Sequence, residues 1–445
     1  LCGMGERAGL NVQNSSLGAG AGVAVTSSIF VLLLRAGIGS SATLLAVELA
    51  LLATLVLAQR RRLRPPDSEA PESPPFRWNG VLIAAACAAL VLLVATQVST
   101  VRASPHGNWD AFAIWNVRAK FLLAPGDLWK NAVSPLLERT HPEYPLLLSA
   151  FIARTWRLAG VTSLVAPLAT AFLFASSVLA LLFSLLAISR GLAAALLACF
   201  VFFATASYVE QIPWQFADIP LSFYMLATLG CVLLGALSRT RARPAFVLAG
   251  LFASFAALTK NEGTAFLLAG FCCFAASLTL RQARWWLLGA LPGILLLADF
   301  RLFLAPPVDL LRGQTIGQLL AKLADPGRYS AVAGALFHEA VSLGDAWSHP
   351  LILLALLAAT LRWEPDVRYR LMLRFGGATL GAMLLVYCGV YLVTPEDLAW
   401  LPGTSLGRLY VHLWPSFLLL AFLVLGRLED PPPPKVPSPH KKKRR

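Results

Sequence analysis

The sequence predicts an all-α polytopic membrane protein, a bundle of about 10–12 transmembrane helices. Three observations predict it. Of 445 residues, 57% are hydrophobic and only 13% are charged, a balance far from that of soluble globular chains. Apolar runs recur along the whole length, each near the roughly 20 residues a helix needs to cross the hydrocarbon core. The basic residues behind the net charge of +14 fall in short clusters between those runs: Arg60 to Arg64, Arg239 to Arg243, Arg281 to Arg284 and Lys441 to Arg445. That is the positive-inside pattern, so the charge reports orientation, and at the tail attraction to anionic membrane lipids, rather than a nucleic-acid partner.

Two spans, at 18–36 and 41–59, are expected to form an N-terminal hairpin (residues 1–59). Arg60 to Arg64 and the Pro- and Ser-rich stretch after them read as a cytoplasmic linker over 60–78. A span at 79–98 leaves the cytoplasm, which makes 99–144 an extracytoplasmic loop. The apolar segment Pro145 to Gly160 is short and carries Arg154 and Arg157. Counting it as a crossing would put the Arg239–Arg243 cluster outside, so it is expected as an interfacial helix, and the first loop with its interfacial helices covers 99–162. Further spans follow at 163–188, 191–207, 218–238, 245–259, 263–280, 285–304, 349–362, 370–393 and 409–426. A Pro-rich basic tail, 427–445, is expected to be cytoplasmic. The transmembrane module therefore runs over 79–426, and its polar connections 305–348 and Thr394 to Arg408 join the first loop outside. Cysteines 87, 199, 231, 272, 273 and 388 all fall in apolar spans, with no CxxC pair, and read as small buried hydrophobes.

Chemistry is expected on that outer face. Asp110 lies between Trp109 and Trp115 at a membrane edge, where a site must hold both a water-soluble group and a lipid. The plainer alternative is a capping carboxylate on an interfacial helix anchored by aromatics. Asp218 precedes Pro220 at the start of a span, which an N-cap would explain equally well. Lys260 and Glu262 lie between two short apolar segments, where an ammonium needs a partner: each other, or a phosphate. Arg408 precedes the last span, placed either to snorkel or to clamp a lipid-borne phosphate with its planar fork. His141, Glu143 and Tyr144 sit in a Pro-bounded turn at the far end of the Asp110 loop. Asp110, His141 and Glu143 together offer a weak set for a divalent cation, Mg or Mn. No Walker A, GxGxxG, HExxH or GxSxG motif occurs, so nucleotide-driven transport and serine hydrolysis lack support.

The ordered landmarks resemble the multi-span glycosyltransferases of the GT-C fold, among them the protein O-mannosyltransferases, the lipid A aminoarabinose transferase and their bacterial relatives. Trp109-Asp110-Ala111-Phe112 resembles the acidic motif of that family's first loop. His141-Pro142-Glu143-Tyr144-Pro145 is similar to the end of that loop, and Asp218-Ile219-Pro220-Leu221 to its second-loop Asp-x-Pro-Leu. Thr259-Lys260-Asn261-Glu262-Gly263 is similar to its TKxEG turn, and Tyr391 to Leu398 with Ser405 to Arg408 to its last loop. The resemblance implies transfer of a sugar from a polyprenyl-phosphate carrier to an extracytoplasmic acceptor, in a bacterial inner (plasma) membrane. It implies Asp110 and Asp218 as catalytic residues and Lys260 and Arg408 as binders of the donor phosphate. Trp109, Trp115, His141, Glu143, Tyr144 and Glu262 would then line the substrate cavity. Asp110 lacks the adjacent second acid common in the family, which weakens a metal-dependent mechanism. The rival readings are a transporter or flippase of lipid-linked sugars, expected to show inverted repeats and mid-span charges, and an inactive scaffold of the same fold.

Overall fold

A computed structural model describes residues 2–62 and 80–426, apart from 239, 278–279, 308–312, 346–347, 362, 364 and 399. The expected linker beyond residue 62 and the tail 427–445 lie outside the described residues. Within the described residues the chain is helical, with one isolated antiparallel bridge, Trp363 to Leu425. It is an all-α polytopic membrane protein.

Helices α1 (Cys2–Arg35), α2 (Ser41–Arg62) and α3 (Gly80–Ala103) come first. The first loop carries a π-helical turn (Ala111–Asn116), the short α4 (Val117–Phe121) and two 3₁₀ turns, and ends in α5 (Leu147–Ala159). Next come α6 (Val165–Arg190), α7 (Leu192–Phe203), α8 (Ala206–Gln211) and α9 (Asp218–Leu237). A compact series follows: α10 (Ala242–Ala257), α11 (Asn261–Ser277) and α12 (Leu280–Phe303). The segment expected as a long polar loop, 305–348, instead folds into α13 (Ile316–Ala324) and α14 (Pro326–Val341). Local chemistry explains why. Thr315 and Gln318 form a reciprocal capping box at the start of α13, and Asp325 caps α14 with Pro326 in its first turn. The last helices are α15 (Pro350–Thr360), α16 (Arg370–Val393) and α17 (Leu401–Val424).

Seven helices among the described residues are long and apolar enough to cross a bilayer, or eight if α7 and the α8 segment form one span bent by 72°. Several of the expected spans are short helices. The spans expected at 191–207, 245–259 and 349–362 are helices of 12, 16 and 11 residues, shorter than the roughly 20 a full crossing needs. Helix α5, at 13 residues, is likewise too short to cross. Its arginines are used internally: Arg154 pairs with Glu48 of α2, and Arg157 donates to the Gly39 carbonyl at 2.7 Å.

Helix α9 is the axis of the bundle. It packs against α6, α10, α16 and α17, and Phe223 and Tyr224 interlock with Phe174 of α6 and Phe252 of α10. A second apolar cluster joins α1, the first loop and α5 around Phe30, Trp115, Trp129 and Trp156. Helices α10 and α12 meet at backbone distance. A Cβ on Gly250 would run into the Trp286 carbonyl, and one on Gly289 into the Val247 carbonyl, the close approach small residues permit between membrane helices. Gly250→Val is thus expected to push the pair apart and destabilise the fold by about 1–3 kcal/mol. A lower detergent-solubilised melting temperature would register it, and an unchanged one would refute the close contact.

The helix order brings six ends together: the last turns of α3, α10 and α16 and the first turns of α9, α11 and α17. Arg241, Arg243, Arg368 and Arg370 lie at the opposite ends of α10 and α16, and Arg281 and Arg284 at the start of α12, next in the chain after the opposite end of α11.

Candidate functional site

Asp218 opens α9, but its carboxylate makes no cap bond to that helix. It is fully buried and turns inward instead. Oδ1 accepts from Lys260 Nζ at 3.0 Å and lies 2.6 Å from His412 Nε2; Oδ2 accepts from Arg408 Nε and NH2 at 3.1 and 2.9 Å. A carboxylate only accepts, so Nε2 of His412 carries a proton, while Nδ1 stands 3.1 Å from the Tyr387 hydroxyl. Four oxygen lone-pair directions are thereby filled from one helix, α17, and one turn. Arg408 and His412 reach one carboxylate because residues four apart share a face of α17.

Asp110 approaches from the first loop. The loop is fastened beside α9: Asn108 N donates to the Trp214 carbonyl at 3.2 Å, and Gln215 Nε2 to the Pro105 carbonyl at 3.3 Å. Gly107 is required there, since it has φ +78° and a Cβ would strike the Trp214 carbonyl. Asp110 precedes the π-helical turn without capping it. Its Oδ2 meets Arg408 NH2 at 2.6 Å. The plainer readings of both aspartates as helix caps are therefore replaced by one shared partner, Arg408. Helix α17 begins at Leu401, so Arg408 lies two turns inside the helix rather than before it.

Lys260 closes the turn between α10 and α11. Besides Asp218 it pairs with Glu262 Oε1 at 3.0 Å, and its Nζ stands 5.7 Å from the Tyr144 ring. Glu262 Oε2 has no hydrogen-bond partner. Arg408 also stacks on Phe216, 4.6 Å from the ring centre. The grouping holds three carboxylates (Asp110, Asp218, Glu262) against two permanent cations, so acid is in excess and both cations are already matched.

Arg118 secures the far end of the first loop. Fully buried on α4, it donates through Nε to the Ala132 carbonyl at 2.9 Å and through NH2 to the Tyr144 carbonyl at 2.6 Å. Burial lowers its pKa to about 10, opposed by Glu143 and Tyr144. The loop it holds stacks His141 on Tyr144 at 4.9 Å and Tyr144 on Trp115 at 5.9 Å. Burial raises the Tyr144 phenol well above its ordinary value, and the Glu262 and Glu143 carboxylates push it the same way.

These groups surround a cavity of about 850 Å³. Asp110, Lys260, Glu262, Arg408, Trp109, His141 and Tyr144, all singled out in the sequence, line it. Three expectations need correction. Asp218 is fully buried behind Arg408 and Lys260 and does not line the cavity. Trp115 is fully buried because it packs beneath Tyr144, and Glu143 is 3% exposed because its Oε1 faces His141 Nδ1 at 3.3 Å. The suggested cation set of Asp110, His141 and Glu143 is consequently divided, with Asp110 committed to Arg408. Among the described residues no three His, Cys, Asp or Glu side chains gather as metal ligands. The sequence reading missed His412, Tyr387, Arg118 and Glu339. The signal for the first was a histidine inside an apolar span four residues after an arginine.

Comparison with family models, with curated proteins and with solved structures returned no match.

Proposed function

We propose that this chain is an integral membrane glycosyltransferase that moves a sugar from a polyprenyl-phosphate carrier to an extracytoplasmic acceptor, with inversion. One observation carries the reading: a carboxylate (Asp110), a guanidinium (Arg408) and an ammonium (Lys260) from three distant segments meet at one cavity among helix ends. A sugar transfer from a lipid phosphate needs those groups, a base for the acceptor and fixed positive charge for the leaving group.

In this reading the donor phosphate takes the place of Asp110 on Arg408 NH2. The exchange supplies Arg408 with a charge-assisted partner and frees the Asp110 carboxylate beside the sugar. Asp110 then accepts the proton of an acceptor hydroxyl or amine as the acceptor atom bonds to the anomeric carbon. The bond from that carbon to the phosphate oxygen breaks on the opposite side, its electron pair stays on the phosphate, and polyprenyl phosphate leaves. Asp218 keeps Arg408 and Lys260 aimed throughout. The arginines at the opposite helix ends support a cytoplasmic position for that end and an extracytoplasmic one for the site; the membrane we propose is a bacterial inner (plasma) membrane.

The test uses sealed membrane vesicles of known orientation containing the full chain, supplied with polyprenyl-phosphate sugars radiolabelled in the sugar. Label is expected to pass to a product separable from the carrier only when the cavity face meets the donor. Carrier and label crossing the vesicle together, uncleaved, would instead establish a flippase. No transfer from any such donor would leave the scaffold reading.

A further inference from the structure

The cavity has a second wall that the transfer chemistry leaves unused. Helix α8 contributes Ser207, Glu210 and Gln211; the last turn of α14 contributes Glu339 and Ser342. The two are joined, because the backbone N and Oγ of Ser207 both donate to the Leu343 carbonyl. Gly407, next to Arg408, lies against the Glu339 carboxylate so closely that a Cβ there would overlap it. The wall thus borders the Asp110–Arg408 pair.

Its uncommitted polar groups are all acceptors. Gln211 is 4% exposed. Its Nε2 donates to the Ser207 carbonyl at 3.0 Å, which fixes the amide, and its Oε1 has no partner. No cation stands against the Glu339 or Glu210 carboxylates in any ion pair found among the described residues. Half-burial raises the Glu339 carboxyl above its ordinary value, with His338 pulling the other way. Across the cavity, Glu262 Oε2 is also unpartnered, while Lys260 and Arg408 are already matched by carboxylates. Trp214 and Trp400 add aromatic surface to the lining. A buried unpaired acceptor is costly, and carboxylates beside indole faces suit an ammonium group.

We propose that the α8–α14 wall binds a protonated primary amine carried by a substrate of this cavity. Which substrate carries the amine rests on the transferase reading; the binding itself does not. Glu339 and Glu210 supply charge, Gln211 Oε1 takes one N–H, and Trp214 or Trp400 covers the remaining face.

The test is binding, read from the intrinsic tryptophan fluorescence of the full chain in lipid nanodiscs. Glucosamine, N-acetylglucosamine and glucose are titrated as probes that differ only at one position. Glucosamine is expected to bind at least about tenfold tighter than the two neutral sugars, the worth of one charge-assisted contact. Glu339→Gln should bring the three together, and Glu339→Asp should restore the preference. Equal affinities in the wild type, or a preference that survives Glu339→Gln, would overturn the proposal. Since no transfer is measured, a chain that transfers sugar yet binds the three alike sinks only this inference. One that prefers the amine yet transfers nothing sinks only the transferase reading.

Discussion

Asp110→Asn is expected to fold and to lose sugar transfer by a factor of about 10² to 10⁴, the usual worth of a positioned general base. The amide keeps the shape of the carboxylate and still offers an oxygen to Arg408 NH2. Arg408 also retains its two bonds to Asp218. The stability cost should therefore stay near that of one charged hydrogen bond, about 1.5–3 kcal/mol. Binding of the donor should be unimpaired or tighter, because the phosphate no longer competes with a carboxylate for Arg408. Transfer assays paired with donor-binding curves check both halves. An Asp110→Asn protein at full activity would remove Asp110 from the chemistry and leave it as a brace for Arg408.

Asp218→Asn is expected to act on the fold first and on activity second. The native carboxylate is fully buried and holds Lys260, Arg408 and His412 at once. Removing its charge leaves two cations drawn together with only Asp110 and Glu262 beside them. Breaking a buried ion pair in this way costs about 3–5 kcal/mol, since the remaining charge is not released to water. Thermal or denaturant unfolding in detergent measures it. The double variant Asp218→Asn/Arg408→Gln should cost less than the two single variants added, by about 1 kcal/mol or more. Strict additivity would mean that Asp218 does not govern Arg408.

The sequence showed the class of fold plainly, because span length and basic clusters are local properties. It also picked out Asp110, Lys260, Glu262 and Arg408, each an ionisable group at the end of an apolar run. What it concealed was pairing. Nothing in Asp218-Ile219-Pro220 distinguishes a capping aspartate from one turned inward to α17, 190 residues further on. Trp115 and Glu143 were assigned to the cavity because they flank residues that do line it, yet side chains one or two positions apart on a tight turn point in different directions. Hydropathy also reads 191–207 as one straight run, averaging over the break between Phe203 and Ala206, whereas the backbone turns there by 72°.

The shortness of α10 has a bearing on how the membrane meets the cavity. With 16 residues, it extends about 24 Å at 1.5 Å per residue, less than the roughly 30 Å of a hydrocarbon core. A span of that length is matched by a locally thinner bilayer. Under the proposed transferase reading, headgroups near its end at Lys260 would ride lower than elsewhere in the leaflet, and a carrier lipid would bring its phosphate to Arg408 by lateral diffusion, without being lifted out of the membrane plane.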